Sequence, residues 1–326
     1  MRSGIKIYCL TDMSETQIRS RVSFNNLYFF LLFFFLLGFS ACETVVDVDI
    51  PFEKPNVTVV SNLKAGQSPE IRLSFSKHIL DNRSAFERIS DAKVTLGSAS
   101  STHSLIYDDA SETYKADEII LEELVDYSIT VEVPGYETIQ LNETIPQKVA
   151  IKEFIVRGST GEDWNRSDEI SIIFDDPVGE NFYEISAFQE RIMTFEDQFG
   201  NERTETMIYP ISLRSKDPVY QQDYLWRTIL FNDRLFDGRT FEMEMTSSGT
   251  AFSMEERELP EGFRVSIYIV LKSISKSYYL YENTFNLQAY SDGDPFAQPV
   301  QVYTNINGGL GILKSEAAYE FKVREW

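Results

Sequence analysis

The chain has 326 residues, of which 43% are hydrophobic and 25% charged, and its formal net charge is −21. That composition is globular, which excludes a disordered or low-complexity chain. A surface so acidic argues against nucleic acid and against anionic lipid headgroups as partners.

The stretch from Leu27 to Cys42 reads LYFFLLFFFLLGFSAC. Arg19 and Arg21 precede an apolar run from Leu27 to Leu37, and the small residues Gly38, Ser40 and Ala41 lead into Cys42. Basic segment, short apolar core and small-residue cleavage site are the parts of a secretory signal, in order. The apolar run falls well short of the roughly 20 residues a helix needs to cross the hydrocarbon core. Glu43, Asp47 and Asp49 follow in place of a basic stop-transfer cluster. The Cys directly after the small residues resembles the lipobox of bacterial lipoproteins, with Phe39 standing where Leu is usual. That resemblance implies cleavage before Cys42, lipidation of its thiol by palmitate-type chains, and a protein tethered to a membrane surface. Residues 1–41 are therefore expected to be the signal peptide, with Met1 or Met13 as the start. The leader holds four basic and two acidic residues, so its removal takes the charge from −21 to −23. Cys9 leaves with it and Cys42 becomes the anchor, so no disulfide is expected within one mature chain. Residues 42–56 read as an extended, solvated tether. Its acids also resemble the surface-export signals of some Bacteroidota lipoproteins, leaving cell surface and periplasmic face both open.

Strand signals follow. Val57 to Leu63 is β-branched and apolar. Ile71, Leu73 and Phe75 alternate with polar residues, as do Ala92, Val94 and Leu96. Leu105–Tyr107 and Tyr114–Ala116 flank an acidic turn, and Tyr127 to Val133 alternates again before Pro134-Gly135, resuming at Ile139 and Leu141. Short period-two runs with turn signals between them predict a β-sandwich over 57–147. YSITVEVPGYETIQ resembles the last hairpin of immunoglobulin-like carboxypeptidase-regulatory modules, so an immunoglobulin-like sandwich is expected. A second β-sandwich domain is expected over 148–326. Its strand signals are Ile170–Phe174, Tyr183–Ala187, a long hairpin about Gly200-Asn201 joining Ile192–Phe195 to Met207–Leu213, then Leu225–Phe231 and Phe241–Met245. Phe263 to Leu271 gives the cleanest alternation and is placed on a central strand. One helix is expected over 276–290, capped by Ser275. Tyr278, Tyr281 and Phe285 share one face of it and are expected to cover the β core. Gly308, Gly309 and Gly311 predict a turn before a last strand at Ala318–Val323. The fold class is thus mainly all-β, with one helix in the second domain.

Catalytic material is sparse. The mature chain carries only His78 and His103, both expected at the surface, and no HExxH or GxSxG pattern occurs. Gly308 to Gly311 lacks the Lys-Ser/Thr of a phosphate loop. No cofactor and no enzymatic activity are expected. Calcium is the one ligand the acids suggest: Asp292, Asp294, Asp233 and Asp237 lie in short acidic turns, and hard carboxylate oxygens suit Ca²⁺. Ordinary turn chemistry explains the same residues.

Four segments carry a family resemblance. DGDPFAQPVQVYTNINGGLGIL (Asp292–Leu313) is similar to the signature of domain of unknown function 4249, a family of Bacteroidota lipoproteins. FDDPVGENFYEI (Phe174–Ile185) and FNDRLFDGRTFEM (Phe231–Met243) look like its other recurrent blocks, and CETVVDVDIP (Cys42–Pro51) like its start. Leu313 stands where an aromatic is common. The resemblance implies an outer-membrane lipoprotein, often encoded beside a TonB-dependent transporter, and no particular activity. The function expected is therefore a non-catalytic, lipid-anchored accessory protein that partners such a transporter in substrate capture or uptake. The alternative is a cell-surface glycan-binding or adhesion module, for which Trp164 and Trp226 are the candidate sugar-stacking residues.

Overall fold

The computed structural model describes residues 54–326, apart from 79–80, 82, 163–165, 223–226, 254–257 and 293–295. Cys42, residues 43–53 of the tether, Trp164, Trp226 and Asp294 lie outside the described residues.

The architecture is mainly β and sandwich-like. Seven strands build the first core: β1 (Val57–Lys64), β2 (Glu70–Phe75), β3 (Lys93–Gly97), β4 (Thr102–Asp108), β5 (Thr113–Lys115), β6 (Asp126–Glu132) and β7 (Ile139–Thr144). They run β1-β2-β5-β4-β3-β6-β7 across the sheet. Their inward residues, among them Val59, Leu63, Ile71, Leu96, Ile129 and Leu141, form one buried cluster. Alternation writes this core directly, because successive side chains of a strand point to opposite faces.

The second core lies between two layers. One is a four-stranded sheet, β12-β14-β9-β8, made of β8 (Ile151–Thr160), β9 (Ser167–Asp175), β12 (Leu213–Ser215) and β14 (Thr240–Ser247). The other continues the large sheet with β10 (Phe182–Glu196), β11 (Glu202–Ile211), β13 (Ile229–Asn232) and β15 (Phe263–Ile274). Phe174 of β9 meets Tyr183 of β10 at 5.2 Å between ring centroids, and Phe236 and Phe241 stack at 3.8 Å beside them. Such aromatic pairs add about 0.5–1.5 kcal/mol each beyond the area they bury. As the alternation predicts, β15 is interior, paired with β10 on one side and with the last strand, β16 (Leu310–Glu325), on the other.

β16 joins the two cores. Its first half pairs in parallel with β1, from Thr58↔Leu310 to Lys64↔Glu316. Its second half pairs antiparallel with β15, from Ile274↔Glu316 to Ser266↔Glu325. Leu313 and Ala317 face the first core, and Tyr319, Phe321 and Val323 pack on the second. One 16-residue strand therefore supplies side chains to both cores. β7 comes back beside it, where the Ser315 hydroxyl donates to the Thr144 carbonyl at 2.8 Å.

Four expectations are corrected. The last strand begins at Leu310 rather than Ala318: polar Lys314, Ser315 and Glu316 break its alternation, because two of them are buried polar residues. Gly308 does make the turn (φ +79°), but Gly311 is inside the strand. The strand expected over Leu225–Phe231 starts at Ile229, and 223–226 are not described. β8 went unread, since most of its residues are exposed or half-buried and carry no period-two signal. Finally, the helix α1 (Lys276–Ser291) forms where expected, with the Ser275 hydroxyl accepting from the Tyr278 N–H. Its aromatic face does not cover a β core. Tyr278 is buried, whereas Phe285, Leu287 and Tyr290 are exposed, and Tyr281 stacks on Phe285 instead. Tyr278 and Tyr279 make the helix's apolar contact with the sheet, in a small cluster with Phe182, Leu230 and Ile274 on the face opposite the second core, and Glu282 pairs with Lys314 of β16.

Candidate functional site

Two neighbouring features share the loop between β9 and β10. The first is a group of three carboxylates. Asp176 and Asp233 are buried and Asp237 is exposed, and each offers an oxygen within 4.8 Å of the others. The blocks FDDPVGENFYEI and FNDRLFDGRTFEM meet here. Asp176 follows β9, and Asp233 and Asp237 lie in the turn from β13 to β14. Asp237 Oδ1 accepts from the Gly179 N–H at 2.9 Å. Asp233 Oδ2 accepts from the Asn181 N–H at 2.8 Å and from Asn181 Nδ2 at 3.0 Å. Asp176 accepts from the Gly238 N–H at 2.8 Å and from the Tyr183 hydroxyl. Burial pushes the Asp176 carboxyl up, its two donors pull it back, and the charges of Asp233 and Asp237 raise it further. With the folded value above the unfolded one, its contribution to stability is full at low pH and is lost as pH rises through the raised value. Tyr183 is pushed up by burial and by the acid that takes its hydrogen bond.

The sequence singles out Asp233 and Asp237 as acids in turns, whereas Asp176 carries no signal there beyond its place in the block FDDPVGENFYEI. Asp292 ends α1 and joins no such group among the described residues. Three carboxylates are donors of the type Ca²⁺ takes, though fewer than its usual six to eight ligands. The same carboxylates already bind donors of the two turns and so clasp them together. Asp233→Ala leaves the Asn181 backbone N–H without its acceptor and takes one of three from Asn181 Nδ2, which keeps the Pro177 and Gly179 carbonyls. It is expected to cost about 2–3 kcal/mol in urea unfolding, equally in EDTA and in excess CaCl₂. A loss seen only with calcium present would make the group a metal centre instead.

The second feature is a cavity of about 760 Å³ between β7, the β9–β10 loop and the start of α1. That volume lies in the range of small-molecule sites. Glu143 of β7 is its most buried acid, at 9% exposure. It lies 3.2 Å from the Ser315 hydroxyl, whose one proton it shares with the Thr144 carbonyl, and Ser275 and Ser277 line the same cavity. Burial pushes its carboxyl up, and the three serines pull it partly back. The cavity takes in Asp126, Glu180 and Lys276, and Lys276 is held by Glu180 at 3.0 Å. Glu143 does carry a sequence signal: it is the next inward position after Ile139 and Leu141 on β7. A charged residue in an inward register is the pattern to look for.

The histidines are both half-buried, not fully at the surface. His103 lies on β4, opposite Leu96, rather than in a loop, and its Nε2 is 2.9 Å from the Ser101 hydroxyl.

Fold and site together define an all-β, sandwich-like protein of two cores spliced by one strand, with a polar cavity at the splice. A family model, Domain of unknown function (DUF4249), matches residues 43–320, and the chain belongs to that family. No curated protein matches the sequence.

Proposed function

We propose that the protein is a lipid-anchored accessory protein of the outer membrane that captures a small molecule and presents it to a TonB-dependent transporter, without catalysing a reaction. The observation that carries this reading is the cavity at the junction of the cores, of ligand size and lined by acids and hydroxyls, on a chain whose expected leader is followed directly by Cys42. An anchor beside the transporter would raise the local concentration of captured ligand without any new contact. Several acyl chains hold a protein far more firmly than one, at roughly 0.8 kcal/mol per buried methylene.

Cells fed a clickable fatty acid test the anchor, and a pull-down from detergent-solubilised membranes tests the partner. The wild-type chain is expected to carry label and to bring down a transporter, and Cys42→Ala to lose the label and leave the membrane fraction. A Cys42→Ala chain that still sediments with membranes and keeps its label overturns the anchor. No transporter in the pull-down, under growth conditions that express both, overturns the partnership.

A further inference from the structure

We propose that the junction cavity binds a small cationic amine, whose ammonium group sits against Glu143 and the serines around it. The inference rests on the reading of the chain as a binding protein and names the chemistry of its ligand.

Three observations carry it. Glu143 is an acid among hydroxyls: among the described residues no Lys or Arg forms an ion pair with it, and Lys276 is already held by Glu180. Counting Glu143, Asp126, Glu180 and Lys276, the cavity is short of positive charge, on a molecule that is itself strongly acidic. Such a cavity concentrates cations. Second, Ser273 lines the same cavity at 4% exposure, and its hydroxyl oxygen has no hydrogen-bond partner. Buried polar atoms are nearly always paired, so this one is an acceptor in waiting. Third, the cavity carboxylates are not gathered as a metal ion requires. Among the described residues the only such group is Asp176, Asp233 and Asp237. An ammonium group needs no convergent carboxylates: it carries three donors, which a carboxylate and neighbouring hydroxyls can accept. The cavity volume leaves room for the rest of a small organic molecule.

The test is calorimetric titration of the full chain in detergent with putrescine, spermidine and glucosamine. Glucose and N-acetylglucosamine serve as neutral counterparts and CaCl₂ as the metal. At least one amine is expected to bind saturably, with neither neutral sugar nor calcium bound in the cavity. Glu143→Gln should fold, because the amide is close to the acid in size and its oxygen can still accept from the Ser315 hydroxyl, and it should weaken the amine at least tenfold. Asp126→Asn, at the more exposed end of the cavity, should weaken it two- to threefold and decides the matter should Glu143→Gln not fold. No saturable amine, or amine binding unchanged in the folded variants, overturns the proposal. Tight binding of a neutral sugar, abolished by Glu143→Gln, overturns the amine while leaving the reading as a binding protein intact.

Discussion

Lys272→Met is expected to cost about 3 kcal/mol of stability, read as a fall in the urea midpoint. Lys272 Nζ lies 3.0 Å from Glu184 and 3.4 Å from Glu316, and both acids are buried. The Tyr278 hydroxyl also reaches Glu184, at 3.3 Å, and Asn62 Nδ2 reaches Glu316 at 3.1 Å. Removing the one cation leaves two buried acids with only neutral donors, and breaking a buried pair from one side costs more than the pair contributes. Methionine keeps most of the stem, so lost packing is a minor part of the effect. Adding Glu184→Gln and Glu316→Gln to the same chain is expected to recover most of the loss, because the stranded charges are then gone. The network also fixes a pH dependence. Burial pulls the Lys272 pKa down, but Glu184 and Glu316 outweigh it and hold the group above the ordinary lysine value. A raised folded value means this stabilisation is complete below the unfolded lysine pKa and is lost only as pH climbs through the folded one. The wild type should therefore weaken in the alkaline range more steeply than the triple variant.

Gly311→Ala is expected to cost at least as much, roughly 3–5 kcal/mol. Gly311 has φ +105°, and a Cβ built there would lie 2.0 Å from the carbonyl oxygen of Val59. Val59 is its partner in the parallel ladder between β1 and β16. The clash is with backbone, so no rotamer relieves it, and the residue adds the strain of a positive φ. The ladder must open where the first core is tied to the C-terminal strand. Gly308→Ala is the control: its φ is also positive, at +79°, but nothing lies within 4 Å of the added atom. That change should cost only about 1 kcal/mol. Equal losses at the two positions would show that conformational freedom, not close approach, is what Gly311 supplies.

Much of the fold is written in alternation. Ile71, Leu73, Val94, Leu96, Ile129 and Val131 all face the first core, as their period of two requires. The Ser275 cap and the helix after it were equally legible, since capping and helical spacing are local. What escaped is non-local. Ser315 and Glu316 look like a break in a strand because their partners, Glu143 and Lys272, lie far away in sequence. The helix misled for the same reason: aromatic residues at helical spacing say that a face exists, not what lies beneath it. Here Tyr278 sits over Lys314, at 4.2 Å, and beside Glu184, so α1 covers an ionic network and a small apolar cluster rather than either of the two main cores. Of the candidate site, Asp233 and Asp237 could be named as acids in a turn. Asp176 and Glu143 could not be joined to them or to the serines until the strands were placed.

The splice by β16 is the claim on which the cavity, the ionic network and the function all depend. Scanning calorimetry of the mature chain tests it most directly. Two cores sharing one strand should melt in a single transition whose calorimetric and van't Hoff enthalpies agree, and Gly311→Ala should lower that transition as a whole. Two resolved transitions in the wild type, with Gly311→Ala moving only one of them, would contradict it.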